Sequence, residues 1–79
     1  MEFKEEVFKE MRRIQQREGY HWRFQQYMAF INHHVSFPMT VQEFWDEMEV
    51  LCNEKYFDKE ADTCPYYILT EKGEKAVYA

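Results

Sequence analysis

Apolar residues recur along the start of the chain at Phe3, Val7, Met11 and Ile14, spaced by four, four and three, with Phe8 widening the stripe. That spacing places them on one face of an amphipathic helix and predicts helix from Phe3 to Glu18, with Gly19 as its stop. A second helical period runs from Tyr20 to His34 through Phe24, Tyr27, Met28, Ile31 and Val35. Ser36, Phe37 and Pro38 break it, because proline cannot continue a helix and pushes its predecessor out of the α region. The third period is sharper: Thr40 as N-cap and Glu43 three residues on make a capping box. Val41, Phe44, Met48 and Leu51 follow as one buried line, broadened by Trp45 and Cys52, and the helix is expected to end at Asn53 or Glu54.

The last third changes period. Lys55-Tyr56-Phe57 and Tyr66-Tyr67-Ile68-Leu69 are short β-prone runs on either side of a polar stretch from Asp58 to Pro65, which predicts a hairpin with a long loop. Strand alternation turns Tyr67 and Leu69 inward and Tyr66 and Ile68 outward. Thr70 can cap a closing turn, Glu71 to Ala76, that brings Val77 and Tyr78 back to the core. No internal repeat, low-complexity tract or linker interrupts this order, so residues 1–79 are expected to form one domain of the α+β class: three helices, a β-hairpin and a short C-terminal helical turn.

Composition bounds the chemistry. A chain of 79 residues has room for one modest core, and the 46% apolar and 32% charged residues are the balance of a folded domain. The first residues, MEFKEEVFKEMRR, are charged throughout and lack an apolar h-region, and no later run approaches the roughly 18 apolar residues a membrane span needs. A cytoplasmic protein without a membrane partner is expected, and with it no structural disulfide between Cys52 and Cys64. Gly19 and Gly73 are the only glycines, so no phosphate-cradling loop exists, and no nucleophile elbow is present. The adjacent His33 and His34 lack metal-ligand spacing, and the cysteines form no C-x-x-C pair. The expectation is a protein that is not an enzyme, with no cofactor and no metal; His33 and His34 are expected at the end of the second helix.

The stretch from Tyr67 to Ala76, Tyr-Ile-Leu-Thr-Glu-Lys-Gly-Glu-Lys-Ala, resembles the Y-x-L-T-x-K-G ending that follows the wing in bacterial and phage winged helix-turn-helix domains. The passage from Met48 to Phe57 is similar to that family's run from recognition helix into the first wing strand. Together they cover about residues 40 to 77, while the first half matches only in its helical periods. The resemblance implies a winged-helix fold, and it departs from the family twice: Lys55 stands where glycine is usual, and Val35 to Met39 make a long connection between the second and third helices. By itself it implies a homodimeric DNA-binding transcriptional regulator.

The charge pattern argues otherwise. DNA-reading helices present Arg, Lys, Asn or Gln to bases and phosphates, whereas the outward face of this third helix carries Glu43, Asp46, Glu47, Glu49, Val50 and Glu54 and no basic residue. Phosphates would be repelled, all the more by a chain of net charge −5. Protein–protein interaction through Glu43, Asp46, Glu47, Val50, Glu54 and the wing residues Tyr66 and Ile68 is therefore expected, with a basic protein surface as partner. Small size and the resemblance suggest a phage or mobile-element origin and a role as inhibitor or modulator of a nucleic-acid-binding host protein. The alternative, a homodimer on duplex DNA, would use a basic edge of Arg12, Arg13, Arg17 and Arg23, although arginines near the end of a helix also serve simply to compensate its dipole.

Overall fold

In the computed structural model, which describes residues 2–60 and 63–79, four helices surround a three-stranded sheet. The order is α1 (Phe3–Arg13), β1 (His21–Trp22), α2 (Phe24–His33), α3 (Val41–Asn53), β2 (Phe57–Glu60), β3 (Tyr66–Leu69) and α4 (Glu71–Val77). The strands pair antiparallel in the spatial order β1-β3-β2. This α+β arrangement is compatible with a small winged-helix-like fold.

The first helix buries the expected Phe3, Val7 and Met11 but stops at Arg13, five residues before Glu18. Gly19 does not end it. Gln15 takes the left-handed conformation (φ 56°) and donates its N–H to Arg12 O, while the Gln16 N–H reaches Met11 O, each at 3.1 Å. These two bonds close the last turn in the manner of a Schellman motif, with glutamine in the position glycine usually takes. Gly19, at φ 92°, instead begins strand pairing: its N–H donates to Leu69 O at 2.8 Å.

The predicted second helix is wrong at its start. Tyr20 to Trp22 leave the helical period and lie beside β3, with His21 opposite Ile68 and Trp22 opposite Tyr67. A buried site for the indole decides this. Trp22 is wholly buried, with its ring centroid 5.3 Å from Phe30, 5.4 Å from Phe44 and 6.2 Å from Phe57, so β1 drives the largest side chain into the junction of α2, α3 and the sheet. Helix α2 therefore begins at Phe24, and Gln26 Oε1 accepts the Arg23 N–H at 3.0 Å.

Helix α3 follows expectation at both ends. Thr40 Oγ1 accepts the Glu43 N–H at 3.1 Å and Glu43 Oε1 accepts the Thr40 N–H at 2.8 Å, completing the capping box. At its other end Lys55 adopts φ 71°, and the N–H groups of Lys55 and Tyr56 bond Cys52 O and Leu51 O. The helix thus ends as it would with glycine there, at the cost of a strained lysine backbone. Because Lys55 and Tyr56 close α3, β2 starts only at Phe57. Residues 61 and 62 of the expected hairpin loop lie outside the described residues.

The Y-x-L-T-x-K-G run docks α4 onto this corner. Tyr67 and Leu69 are buried, and Thr70 Oγ1 accepts the Gly73 N–H at 3.0 Å while bonding Lys55 O and Tyr56 O at 2.6 and 3.0 Å. Lys72 donates to Glu54 O at 2.6 Å with its ammonium 4.6 Å from the Tyr56 ring centroid. At Gly73 a Cβ would collide with the Tyr56 carbonyl oxygen and the Leu69 side chain, so glycine is what lets the first turn of α4 approach so closely.

Candidate functional site

Helix α3 presents the acidic face that its sequence predicts. Glu43, Asp46, Glu47, Glu49, Val50 and Glu54 are all exposed, and Val50 is an apolar knob with 52% of its surface open. The acids differ in what they already do. Glu43 is held by the capping box, Asp46 accepts from Gln42 Nε2 at 3.0 Å, and Glu49 pairs with Lys59 at 3.1 Å. Among the described residues the carboxylates of Glu47 and Glu54 have no hydrogen bond or ion pair, so they are the ones most available to an incoming cation.

Two shallow hollows flank Glu47. One, about 350 Å³, lies between the start of α1 (Glu2, Phe3, Lys4) and the α3 residues Glu47, Val50, Leu51 and Glu54. The other, about 370 Å³, lies between Phe37, Pro38 and Met39 of the α2–α3 connection and Glu43, Asp46 and Glu47. That connection runs over residues 34–40, seven in all, and is fastened from beneath: the Glu6 carboxylate accepts the Ser36 N–H at 2.7 Å. Glu6 is almost fully buried, its second oxygen has no hydrogen-bond partner among the described residues, and the Ser36 N–H holds its pKa below the usual carboxylate value.

The β3 residues alternate as expected, Tyr67 and Leu69 inward, Tyr66 and Ile68 outward. They are half-buried, not exposed. Strand β1, unforeseen in the sequence, sets His21 against the Tyr66 ring (centroids 5.5 Å apart, stacked) and the Arg23 guanidinium 4.6 Å from the same centroid. Phe24, the first residue of α2, is exposed, 39% open.

The four arginines do not form one free edge. Arg12 donates to Val77 O at 2.8 Å, Arg13 makes a two-pronged contact with Glu10 at 2.8 and 2.9 Å, and Arg17 stacks 3.9 Å from the Tyr78 ring centroid. Arg23 sits beside Tyr66 at the start of β3, whereas Tyr78 follows α4 beyond the strand's other end. Each guanidinium already has an intramolecular role, and Arg17 lies beyond the end of α1, not in its last turn.

Sequence reasoning missed Glu6 and Glu10, both buried, although they stand next to Val7 and Met11 on the same helical arc. It also missed the contribution of Phe3, Phe37 and Met39 to the hollows beside the acids. Cys52 and Cys64 carry free thiols, and burial pushes the Cys52 pKa up to about 11, which disfavours the reactive thiolate. His33 closes α2 and His34 is its C-cap. Among the described residues no group of three or more His, Cys, Asp or Glu is arranged to hold a metal ion, and no helix is long and apolar enough to cross a membrane. Comparison with protein-family models, with curated proteins and with solved structures finds no match.

Proposed function

We propose that this protein is a non-enzymatic binding module of the winged-helix kind that acts by protein–protein contact, using the exposed face of α3 to engage a basic protein surface. One observation carries the reading: the face that would enter a DNA groove presents Glu43, Asp46, Glu47, Val50 and Glu54, and no lysine or arginine lies on it. A carboxylate surface next to phosphates is repelled, while next to lysine and arginine it steers association and fixes register. Tyr66 and Ile68 form the outer face of the wing, a second and smaller contact region. Such a surface can occupy the nucleic-acid site of another protein, which makes an inhibitor or modulator the natural role, in keeping with a phage or other mobile element as source.

A homodimeric DNA-binding regulator is the competing reading, and the helix order with its wing supports it. Against it, Arg12, Arg13, Arg17 and Arg23 are each engaged within the chain. The two are separated by charge reversal. Replacing Asp46, Glu47 and Glu54 together by lysine leaves the Thr40–Glu43 cap intact and should abolish capture of a protein partner from host lysate; unchanged capture would remove α3 as the interface.

A further inference from the structure

We infer that the α3 face seats one short helical segment of a partner protein, with an apolar stripe flanked by lysine or arginine. This rests on the reading of α3 as a protein-binding surface and adds the chemistry of what binds. The two hollows share Phe3 and Glu47, so they are lobes of one groove. Part of its floor is apolar: Leu51 beside the projecting Val50 in one lobe, Phe37, Pro38 and Met39 in the other. Free charge alone, such as an unstructured polycation, would leave that floor wet, and burying apolar surface is the larger favourable term in most association.

The rim sets the sign of the occupant. Glu43, Asp46, Glu47 and Glu54 line the α3 wall and Glu2 stands opposite, and among the described lining residues Lys4 is the one cation. Glu43 and Glu54 lie eleven residues apart on α3, about 16 Å at 1.5 Å per residue, which is the length of three helical turns. An occupant helix of that length can lay an i, i+3, i+4, i+7 apolar stripe on the floor and set its cations along the α3 carboxylates. Nucleic acid is disfavoured by the same five acids. A second copy of this chain is disfavoured too, because it carries net charge −5.

The test uses the full chain, isotope-labelled for NMR, and three synthetic probes of about 14 residues, long enough for some four helical turns. One is an amphipathic leucine–lysine helix, one is its scrambled isomer, and one is oligolysine. The amphipathic probe should bind with Kd on the order of 10–100 μM, with shifts centred on Phe3, Met39, Glu47 and Val50, and the other two at least about tenfold more weakly. Val50→Asp and Glu54→Lys alter exposed residues, so their spectra should remain dispersed, and each should weaken the amphipathic probe about fivefold or more. Oligolysine binding as well as the amphipathic probe, indifferent to Val50→Asp, would overturn the groove and leave a purely electrostatic protein interface. Shifts centred on Tyr66 and Ile68 would also overturn it while keeping the binding-module reading. Concentration-dependent shifts of the groove residues without any probe would make a second copy the occupant and overturn it. Failure of all three probes at low salt, with binding of duplex DNA, would remove both the groove and the protein-binding reading.

Discussion

Trp45 donates its indole N–H to the Tyr27 hydroxyl at 3.0 Å, and that hydroxyl in turn donates to Pro65 O at 2.8 Å. One buried phenol thus ties α3 to α2 and both to the start of β3, while its ring stacks 4.7 Å from Phe44. Tyr27→Phe keeps the ring and removes both bonds, leaving a partly buried indole N–H and carbonyl without their partner. The expected loss is about 1–3 kcal/mol, read as a lower denaturant midpoint with unchanged slope. An unaltered midpoint would mean that water replaces the phenol without cost.

Gly73→Ala should destabilise the protein even though alanine is the better helix former. Propensity alone favours alanine by about 1 kcal/mol, but the added methyl meets the Tyr56 carbonyl oxygen, which is backbone held by Thr70 and cannot yield cheaply. Loss of about 1–3 kcal/mol in thermal or chemical unfolding is expected. A gain would show that α4 rides free of the α3–β2 corner.

Lys55→Gly should act in the opposite sense. A left-handed lysine costs about 1–2 kcal/mol, and glycine returns part of that through greater freedom in the unfolded chain. A net gain of roughly 0.5 kcal/mol is expected, measured against Lys55→Ala, which should change little because alanine pays the same backbone cost.

Acid should unfasten the α2–α3 connection. The Ser36 N–H lowers the Glu6 pKa beneath its ordinary value of 4.5, so the folded state binds this proton less readily than the unfolded chain. The resulting stability is present above pH 4.5 and is lost as pH falls through the folded value. Unfolding of Glu6→Gln compared with the parent should show a gap at pH 7 that narrows below pH 4.5. A gap independent of pH would assign Glu6 a packing role alone.

These contacts show how far the sequence could be read. The 3.6-residue period located α1 and α3, and the Thr40–Glu43 pair marked the start of α3 to the residue, because local hydrogen bonding decides both. Periodicity places Trp22 in a helix because it registers only that the residue is apolar; its pairing with Tyr67 and its place among Phe30, Phe44 and Phe57 depend on residues far along the chain. Gln15 gives no sign of a helix stop, since glutamine does not signal a left-handed backbone, whereas Lys55 is marked only by standing where glycine is usual. For the candidate site, the acidic face was legible from charge and spacing alone. Its apolar floor was not, because Phe3 and Met39 come from separate segments that meet α3 only in the fold. The half-covered Tyr66 and Ile68 follow from the unforeseen strand β1, which sets His21 beside both and leads into Arg23 over the Tyr66 ring.

Whether an acidic α3 excludes nucleic acid is measured directly by a titration of the full chain with mixed-sequence duplex DNA at about 50 and 200 mM salt. No binding at either salt is the expected result for a chain whose exposed α3 face carries Glu43, Asp46, Glu47, Val50 and Glu54 and no lysine or arginine. Low-micromolar binding at low salt that weakens steeply at high salt, and is lost in Arg12→Ala or Arg17→Ala, would contradict it and establish the DNA-binding regulator instead.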